Sequence, residues 1–328
     1  MPLTHATYKF IQEAKKQMEQ NSIDLNNLNI EDYRHMCAGY QSCSAPLTVG
    51  ISTQTIKIPV AHDAEIEARI FDKDSERTNK KPCFIFIPGG GFIAYLECHD
   101  SACSIMAAIA DCRVIMIMPR LAPEFKAPIP LQDACAAIAY IFNHGADQFN
   151  IDTNNIALGG DSAGANLALG AALHFRDTKD NVVLPAPIKS LQLISGTYDL
   201  SMSLDNDFTE QEAEDLLPQD MLEYMFAHYL EANANRKDPA YSPYFADLQG
   251  LPPTDLLVAQ YDGVRHQTEK LYEKLQTTDV TSSKQVLDGQ THSYLILRGE
   301  GAMNEGTDPA EVVAKHLTDI FSSASHLD

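Results

Sequence analysis

The chain has 328 residues, of which 45% are hydrophobic and 21% are charged. This composition supplies enough apolar material for a large core and excludes an intrinsically disordered protein. The chain has 45 Asp and Glu residues against 24 Lys and Arg residues, which gives a formal net charge of −21. Nucleic acids and anionic membrane surfaces are therefore not expected as partners, because both require clustered Lys and Arg.

The distribution of apolar residues and cysteines points to a cytoplasmic protein. No apolar run approaches the roughly 18 residues that a membrane-spanning helix needs, and the N-terminal sequence lacks the apolar core of a secretory signal. The seven cysteines are scattered between residues 37 and 135 without a C-x-x-C pair. An odd, scattered set in a long chain is typical of free thiols in a reducing compartment.

The hydrophobic pattern predicts helices first and then an α/β sheet. Residues 1–45 have helical periodicity, and two alternating segments at 55–60 and 64–71 predict a β-hairpin. Short apolar runs then alternate with helical segments, which predicts buried parallel strands. These runs span residues 83–87, 114–118, 156–158, 191–194 and 256–259. The helices between them are predicted to start near Ser101, Leu131, Ala163 and Gln267.

An acidic helical insertion at residues 199–238 interrupts this alternation. We expect it to pack with the N-terminal helices as a lid over the sheet. The predicted organisation is therefore a catalytic domain of residues 46–198 and 239–328 with a helical cap of residues 1–45 and 199–238. Ligands of such sheets bind at the carboxyl ends of the strands.

The strongest chemical signal is the G-x-S-x-G sequence formed by Gly160, Asp161, Ser162, Ala163 and Gly164. It follows a predicted strand and precedes a predicted helix, which is the context that a nucleophilic serine requires. The glycines permit a tight, strained turn, and the helix N-terminus favours developing negative charge. Ser162 is therefore the predicted nucleophile.

A second signal is the run of three glycines, Gly89, Gly90 and Gly91, directly after the predicted strand at 83–87. Consecutive glycines let backbone N–H groups face a ligand, and acyl transfer needs such donors at its oxyanion. A phosphate-binding loop is the rival interpretation. It is rejected because neither G-x-x-x-x-G-K-[ST] nor G-x-G-x-x-G occurs.

The order of residues along the chain supplies the two partners of the serine. After a G-x-S-x-G serine, an acid is expected at the end of a late strand and a histidine in a later loop. Asp262 follows the apolar run at 256–259, and His292 follows the sequence Asp-Gly-Gln-Thr near the C-terminus. We predict that Ser162, Asp262 and His292 form a catalytic triad.

With these motifs, the chain resembles the hormone-sensitive-lipase-like branch of the α/β-hydrolases, a family of carboxylesterases. The similarity covers roughly residues 50 to 320, and further ordered motifs support it. They lie at residues 120–124, 132–134, 193–196, 242–246 and 251–253. The resemblance implies an α/β-hydrolase fold, with a mostly parallel sheet flanked by helices and a cap built from the N-terminus and an insertion.

The resemblance also implies roles for residues of this chain. The backbone amides of Gly90, Gly91 and Ala163 would form the oxyanion hole, and we predict that Phe92 and Asp161 contact the substrate. No metal and no organic cofactor is expected. The expected partner is a small-molecule ester, and the family also suggests a homodimer formed through the last strand.

Three departures from the family pattern stand out, and none removes a triad residue. Pro88 replaces the usual His before the glycines, and Pro119 replaces the usual Tyr before Arg120. The acid motif at 262–266 reads Asp-Gly-Val-Arg-His instead of Asp-Pro-Leu-Arg-Asp. The sequence favours a serine carboxylesterase for short- to medium-chain acyl esters. It leaves open a non-catalytic small-molecule receptor, or an amidase or deacetylase that uses the same triad.

Overall fold

A computed structural model describes residues 28–39, 46–61, 63–96, 98–178, 184–203, 217–295 and 308–323. Its centre is an eight-stranded sheet in the order β1-β2-β4-β3-β5-β6-β7-β8. The strands are β1 (Ser52–Val60), β2 (Ala64–Asp72), β3 (Lys81–Ile87), β4 (Arg113–Met118), β5 (Ile151–Asp161), β6 (Leu191–Ile194), β7 (Thr254–Tyr261) and β8 (Ser282–Thr291). Every neighbouring pair from β4 to β8 is parallel, which confirms the predicted sheet type.

The described residues include seven α-helices, several of which connect the parallel strands. They are α1 (Ile30–Gly39), α2 (His99–Ala110), α3 (Ile129–Phe149), α4 (Ala163–Asp177), α5 (Gln219–Tyr229), α6 (Arg265–Leu275) and α7 (Pro309–Ser323). Asn29 begins α1 because its side-chain oxygen accepts a hydrogen bond from the Asp32 amide at 2.9 Å. The predicted helix starts lie within two residues of the observed ones.

The sheet separates two apolar cores, and β3 shows why. Its side chains alternate between the faces, so Ile85 and Ile87 pack in one cluster while Phe84 and Phe86 pack in the other. The first cluster contains residues of α3, α4, α5 and α6, and the second contains residues of α2 and α7. All four β3 side chains are fully buried because helices cover both faces.

One edge of the sheet is an antiparallel hairpin, and the other is the parallel strand β8. The predicted hairpin is confirmed, since β1 pairs antiparallel with β2 and Ile58 lies opposite Ile66. The apolar run at 256–259 was the last strand identified from the sequence, and the strand that follows it was missed. Strand β8 follows, and its exposed and buried side chains alternate without a continuous apolar run. An edge strand with one wet face gives only this weak signal.

Part of the predicted cap lies outside the described residues. This applies to residues 1–27 and 40–45 of the N-terminal segment and to residues 204–216 of the acidic insertion. Helices α1 and α5 lie in the described parts of the two predicted cap segments, and they meet where Tyr33 and Tyr224 pack at 5.8 Å between ring centroids. Within the described ranges, no helix has the length and apolar character to cross a membrane.

Candidate active site

Ser162 sits on a strained turn between β5 and α4. Its backbone has φ 52° and ψ −121°, a conformation that L-residues rarely adopt. The turn lies against the end of β3, and a side chain at either Gly160 or Gly164 would overlap the backbone oxygen of Ile87. Both glycines of the motif are therefore required by close backbone approach, and the turn carries Ser162 to the carboxyl edge of the sheet.

Two neighbouring strands deliver the predicted partners of Ser162 to the same edge. Asp262 directly follows β7 and His292 directly follows β8. His292 Nε2 lies 2.9 Å from Ser162 Oγ, and His292 Nδ1 lies 2.8 Å from Asp262 Oδ1. Asp262 is 1% exposed and also accepts a hydrogen bond from the Val264 amide at 2.9 Å. The structure thus brings together the three side chains that the sequence analysis selected.

These distances define the direction of proton transfer. A carboxylate only accepts hydrogen bonds, so the Asp262 contact assigns the His292 proton to Nδ1. The lone pair of Nε2 then faces the Ser162 hydroxyl. This is the arrangement that a general base needs to take a proton from a serine nucleophile.

The glycine loop runs from β3 past the serine turn. Gly90, Gly91 and Phe92 all have positive φ, at 129°, 63° and 67°. The Gly90 carbonyl accepts hydrogen bonds from the Ile93 and Ala94 amides at 3.2 and 3.0 Å, which closes a tight turn. The amides of Gly90 and Gly91 therefore belong to a loop of unusual backbone geometry. Their role as oxyanion donors, like that of Ala163 at the start of α4, stays a prediction.

The predicted substrate contacts of Asp161 and Phe92 also stay predictions, although both side chains are buried and already have partners. Asp161 Oδ1 accepts a hydrogen bond from the Gly89 amide at 2.7 Å, and its other oxygen lies 3.0 Å from His99 Nε2. The Phe92 ring stacks on Tyr229 of α5, with centroids 3.9 Å apart and planes at 8°. Asp161 is thus placed behind the loop, and Phe92 joins the loop to a cap helix.

Arg34 on α1 makes a second attachment to the same loop. Its guanidinium donates to the backbone oxygens of Ile93 at 2.8 Å and Ala122 at 2.9 Å. It also forms a bidentate pair with Glu124, with distances of 2.8 and 2.7 Å. The Ala122 amide in turn donates to the Phe92 oxygen at 3.0 Å. One side chain of the N-terminal segment therefore holds the far end of the glycine loop.

The two prolines that depart from the family pattern line the same small cavity. Pro88 and Pro119 both line a cavity of about 20 Å³ behind the glycine loop, together with Gly89 and Ala163. The backbone oxygen of Pro119 accepts a hydrogen bond from the Tyr95 hydroxyl. In this chain the loop is therefore fixed by Asp161 and Arg34 rather than by a side chain at position 88.

Helix α5 covers the glycine loop from the cap side. The side chain of Met225 fills the space above Gly91, where any added β-carbon would overlap its sulfur atom. Among the aromatic residues of α5, Phe226 and Tyr229 are buried and Tyr224 packs on Tyr33. Helix α5 thus lies in direct contact with the loop that is predicted to bind the oxyanion.

Sequence reasoning missed several residues that shape this site. Arg34, His99 and Met225 carry no local motif, and their partners lie far along the chain: Arg34 is 59 residues from Ile93, and His99 is 62 residues from Asp161. Only the helical spacing of the N-terminal segment indicated that it packs on the rest of the protein.

In the part of the chain that the structure describes, no cluster of three or more His, Cys, Asp or Glu residues is placed to hold a metal ion.

Comparison with known proteins agrees with this geometry. A family model described as the alpha/beta hydrolase fold matches residues 84–296. The carboxylic ester hydrolase LipN of Mycobacterium tuberculosis is 31% identical over 226 residues, which cover 66% of this chain and 58% of that protein's length. An arylesterase of Saccharolobus solfataricus is 27% identical over 98% of this chain and 100% of its own. A hyperthermophilic esterase of Pyrobaculum calidifontis has a similar structure, with a TM-score of 0.81 and 25% identity over 99% of both chains.

Proposed function

The chain belongs to the hormone-sensitive-lipase-like branch of the α/β-hydrolases and is a carboxylic ester hydrolase. We propose that it cleaves esters through a Ser162–His292–Asp262 triad and an acyl-enzyme intermediate. The observation that carries the proposal is the continuous hydrogen-bonded line from Ser162 Oγ through His292 to Asp262, at 2.9 and 2.8 Å.

The proposed reaction has two halves. Ser162 Oγ attacks the ester carbonyl while His292 Nε2 takes the hydroxyl proton, and the buried Asp262 carboxylate stabilises the resulting imidazolium. The tetrahedral intermediate collapses, His292 returns the proton to the leaving alcohol, and an acyl-Ser162 ester remains. Water then attacks this ester with His292 again as the base, and the carboxylic acid is released with free Ser162.

The oxyanion of each tetrahedral intermediate would bind to the amides of Gly90, Gly91 and Ala163. Support comes from the loop geometry and from the position of Ala163 at the first turn of α4, where backbone N–H groups have no intrahelical partner. Removal of one such donor typically costs about 10² to 10³ in kcat. These donors are backbone groups, so their orientation depends on the conformation of the loop and of the first turn of α4.

We include a short- to medium-chain acyl preference in the proposal. Its support is the tight packing of α5 on the glycine loop, since Met225 and Tyr229 leave little space above Gly91 and Phe92. The cap assignment of residues 1–45 and 199–238 is part of the same proposal. It is supported by the contact between α1 and α5.

Location and assembly complete the proposal. Cytoplasmic residence is supported by the buried, free thiols of Cys37, Cys83, Cys103, Cys112 and Cys135. A homodimer through the last strand is supported by the edge position of β8, which pairs with β7 on one side in the sheet order.

The test is hydrolysis of a p-nitrophenyl ester series from acetate upward, with wild type, Ser162→Ala and Ser104→Ala. We expect activity that declines with acyl length and a loss of about 10⁶ in kcat for Ser162→Ala, as for a triad-serine deletion in another serine hydrolase. Ser104 lies on α2 and bonds to the Ser101 oxygen and Thr48, so its variant makes the same change away from the site. Folded wild type with no activity on any ester would favour a ligand receptor instead.

A further inference from the structure

Behind the nucleophile turn lies a buried ion pair that the proposed triad mechanism does not use. His99 begins helix α2 and is 0% exposed. Its Nε2 lies 3.0 Å from Asp161 Oδ2, and its Nδ1 lies 2.8 Å from the Leu96 backbone oxygen. Asp161 directly precedes Ser162, so this pair touches the nucleophile turn from inside the protein.

The two contacts of the His99 ring define its charge. A backbone carbonyl oxygen only accepts hydrogen bonds, so Nδ1 carries a proton. A carboxylate also only accepts, so Nε2 carries a second proton when Asp161 is ionised. Burial disfavours this charge, but the Asp161 carboxylate and the Leu96 bond outweigh it and raise the pKa of His99 above its ordinary value. The pair is therefore an imidazolium and a carboxylate.

The second oxygen of Asp161 reaches the glycine loop. Asp161 Oδ1 accepts a hydrogen bond from the Gly89 amide at 2.7 Å, and Gly89 immediately precedes the two glycines of the predicted oxyanion hole. The packing at this point leaves no room for adjustment. A β-carbon at Gly89 would come 2.8 Å from Asp161 Oδ2 and 3.1 Å from Ser162 Cβ. One carboxylate thus bridges the nucleophile turn and the loop that must face the same substrate oxygen.

We propose that His99 and Asp161 are positioning residues for the oxyanion hole. The buried imidazolium holds the Asp161 carboxylate in one orientation, and that carboxylate fixes Gly89 so that the Gly90 and Gly91 amides point at the developing oxyanion. This inference rests on the proposed esterase function and gives Asp161 a role other than substrate contact. Neither side chain needs to touch the substrate.

The proposal predicts a specific kinetic signature. The oxyanion exists only in the transition state, so a displaced donor weakens transition-state binding and leaves ground-state binding nearly intact. Loss of the imidazolium removes the group that lies 3.0 Å from Asp161 Oδ2 and holds this oxygen in place. The carboxylate can then turn away from Gly89. We expect kcat to fall about 10- to 100-fold, less than the loss of a whole donor.

The experiment compares His99→Phe, His99→Gln and Asp161→Asn with wild type. The readouts are kcat and KM for p-nitrophenyl acetate and the affinity for an alkylboronic acid. This inhibitor forms a B–O bond with Ser162 Oγ while the hydroxyl proton passes to His292, and the product is a tetrahedral anion. We expect boronate affinity and kcat to fall together in His99→Phe while KM stays within about threefold of wild type. His99→Gln retains a donor to Asp161 and should recover part of the loss.

A matched control separates positioning from stability. Asp72 and Arg113 form another fully buried ion pair, at 2.7 Å, at the amino end of β4, far from the serine turn. Asp72→Asn should lower the melting temperature without lowering kcat or boronate affinity. If His99→Phe behaves like Asp72→Asn in every readout, the pair is only structural and the proposal is overturned. If His99→Phe does not fold, His99→Gln and Asp161→Asn decide by the same two readouts.

The result also stays distinct from a failure of the proposed function. Absence of Ser162-dependent ester hydrolysis in wild type would overturn the esterase mechanism itself. Amide hydrogen exchange at residues 89–91 reports the loop in either case, because it needs no turnover. Faster exchange there in His99→Phe than in Asp72→Asn supports the positioning role, and equal exchange contradicts it.

Discussion

Arg34 offers the sharpest test of how the glycine loop is held. The substitution Arg34→Met keeps most of the apolar stem of the side chain and removes the guanidinium. It deletes the hydrogen bonds to the backbone oxygens of Ile93 and Ala122 as well as the pair with Glu124. Glu124→Gln is the matched control, because it removes only the charge of the pair and leaves the two backbone bonds.

The structure predicts different losses of stability for Arg34→Met and Glu124→Gln. Ile93 and Ala122 are 0% exposed, and a buried acceptor that loses its donor costs about 1–3 kcal/mol. The side chains of Arg34 and Glu124 are 31% and 50% exposed, so solvent screens their ion pair to below about 1 kcal/mol. Water can replace part of the lost bonds because the Arg34 side chain is itself 31% exposed. We therefore expect Arg34→Met to lower the free energy of unfolding by about 2–4 kcal/mol, the lower part of the range for two acceptors, and Glu124→Gln by less than about 1 kcal/mol.

Thermal unfolding measures this difference. For a chain of 328 residues, about 2–4 kcal/mol corresponds to a fall of about 3–6 °C in Tm. The kcat for p-nitrophenyl acetate should fall in Arg34→Met and stay near wild type in Glu124→Gln. Equal loss of stability in the two variants would refute the reasoning, because the bonds to the loop would then contribute nothing beyond the ion pair.

Two further predictions concern the serine turn. Gly164→Ala should abolish folding or lower Tm by more than 10 °C or so, because its β-carbon would overlap the backbone oxygen of Ile87. Gly170→Ala on the same helix is the control and should be tolerated, because its β-carbon meets only the Leu131 side chain, at 3.1 Å. Thermal unfolding followed by circular dichroism measures both variants. The raised pKa of His99 stabilises the fold below the ordinary value of 6.5, and this contribution is lost as pH rises through the folded pKa. Urea unfolding between pH 6 and 9 or so should therefore show stability falling with pH in wild type and a flatter profile in His99→Gln; identical profiles would contradict this linkage.

The sequence predicted the sheet and the three triad positions for a local reason. The Ser162 turn needs small residues on both sides, and a buried parallel strand needs a short continuous apolar run, so both leave a pattern within a few neighbouring residues. The order of serine, acid and histidine then follows from the order of strands in this fold. Asp262 was selected because it follows a predicted late strand, and His292 because it lies in a loop nearer the C-terminus.

The sequence predicted other parts poorly because their signal is weak or distributed. Strand β8 has one exposed face and polar residues at Ser282, Ser283 and Gln285, so it lacks an apolar run. Its existence matters, since it carries His292 to the edge of the sheet. Its pairing with β7 is what turns a polar segment into a strand.

The sequence by itself was enough to predict which residues do the chemistry, because a nucleophile turn and a glycine loop are short-range features that depend on residue type. Only the tertiary structure decided how those atoms are held. The contacts of Arg34 with Ile93, of His99 with Asp161 and of Met225 with Gly91 join segments that are remote in the chain. Such contacts leave no periodicity or spacing in one sequence, since they depend on the packing of helices α1, α2 and α5 against the completed sheet.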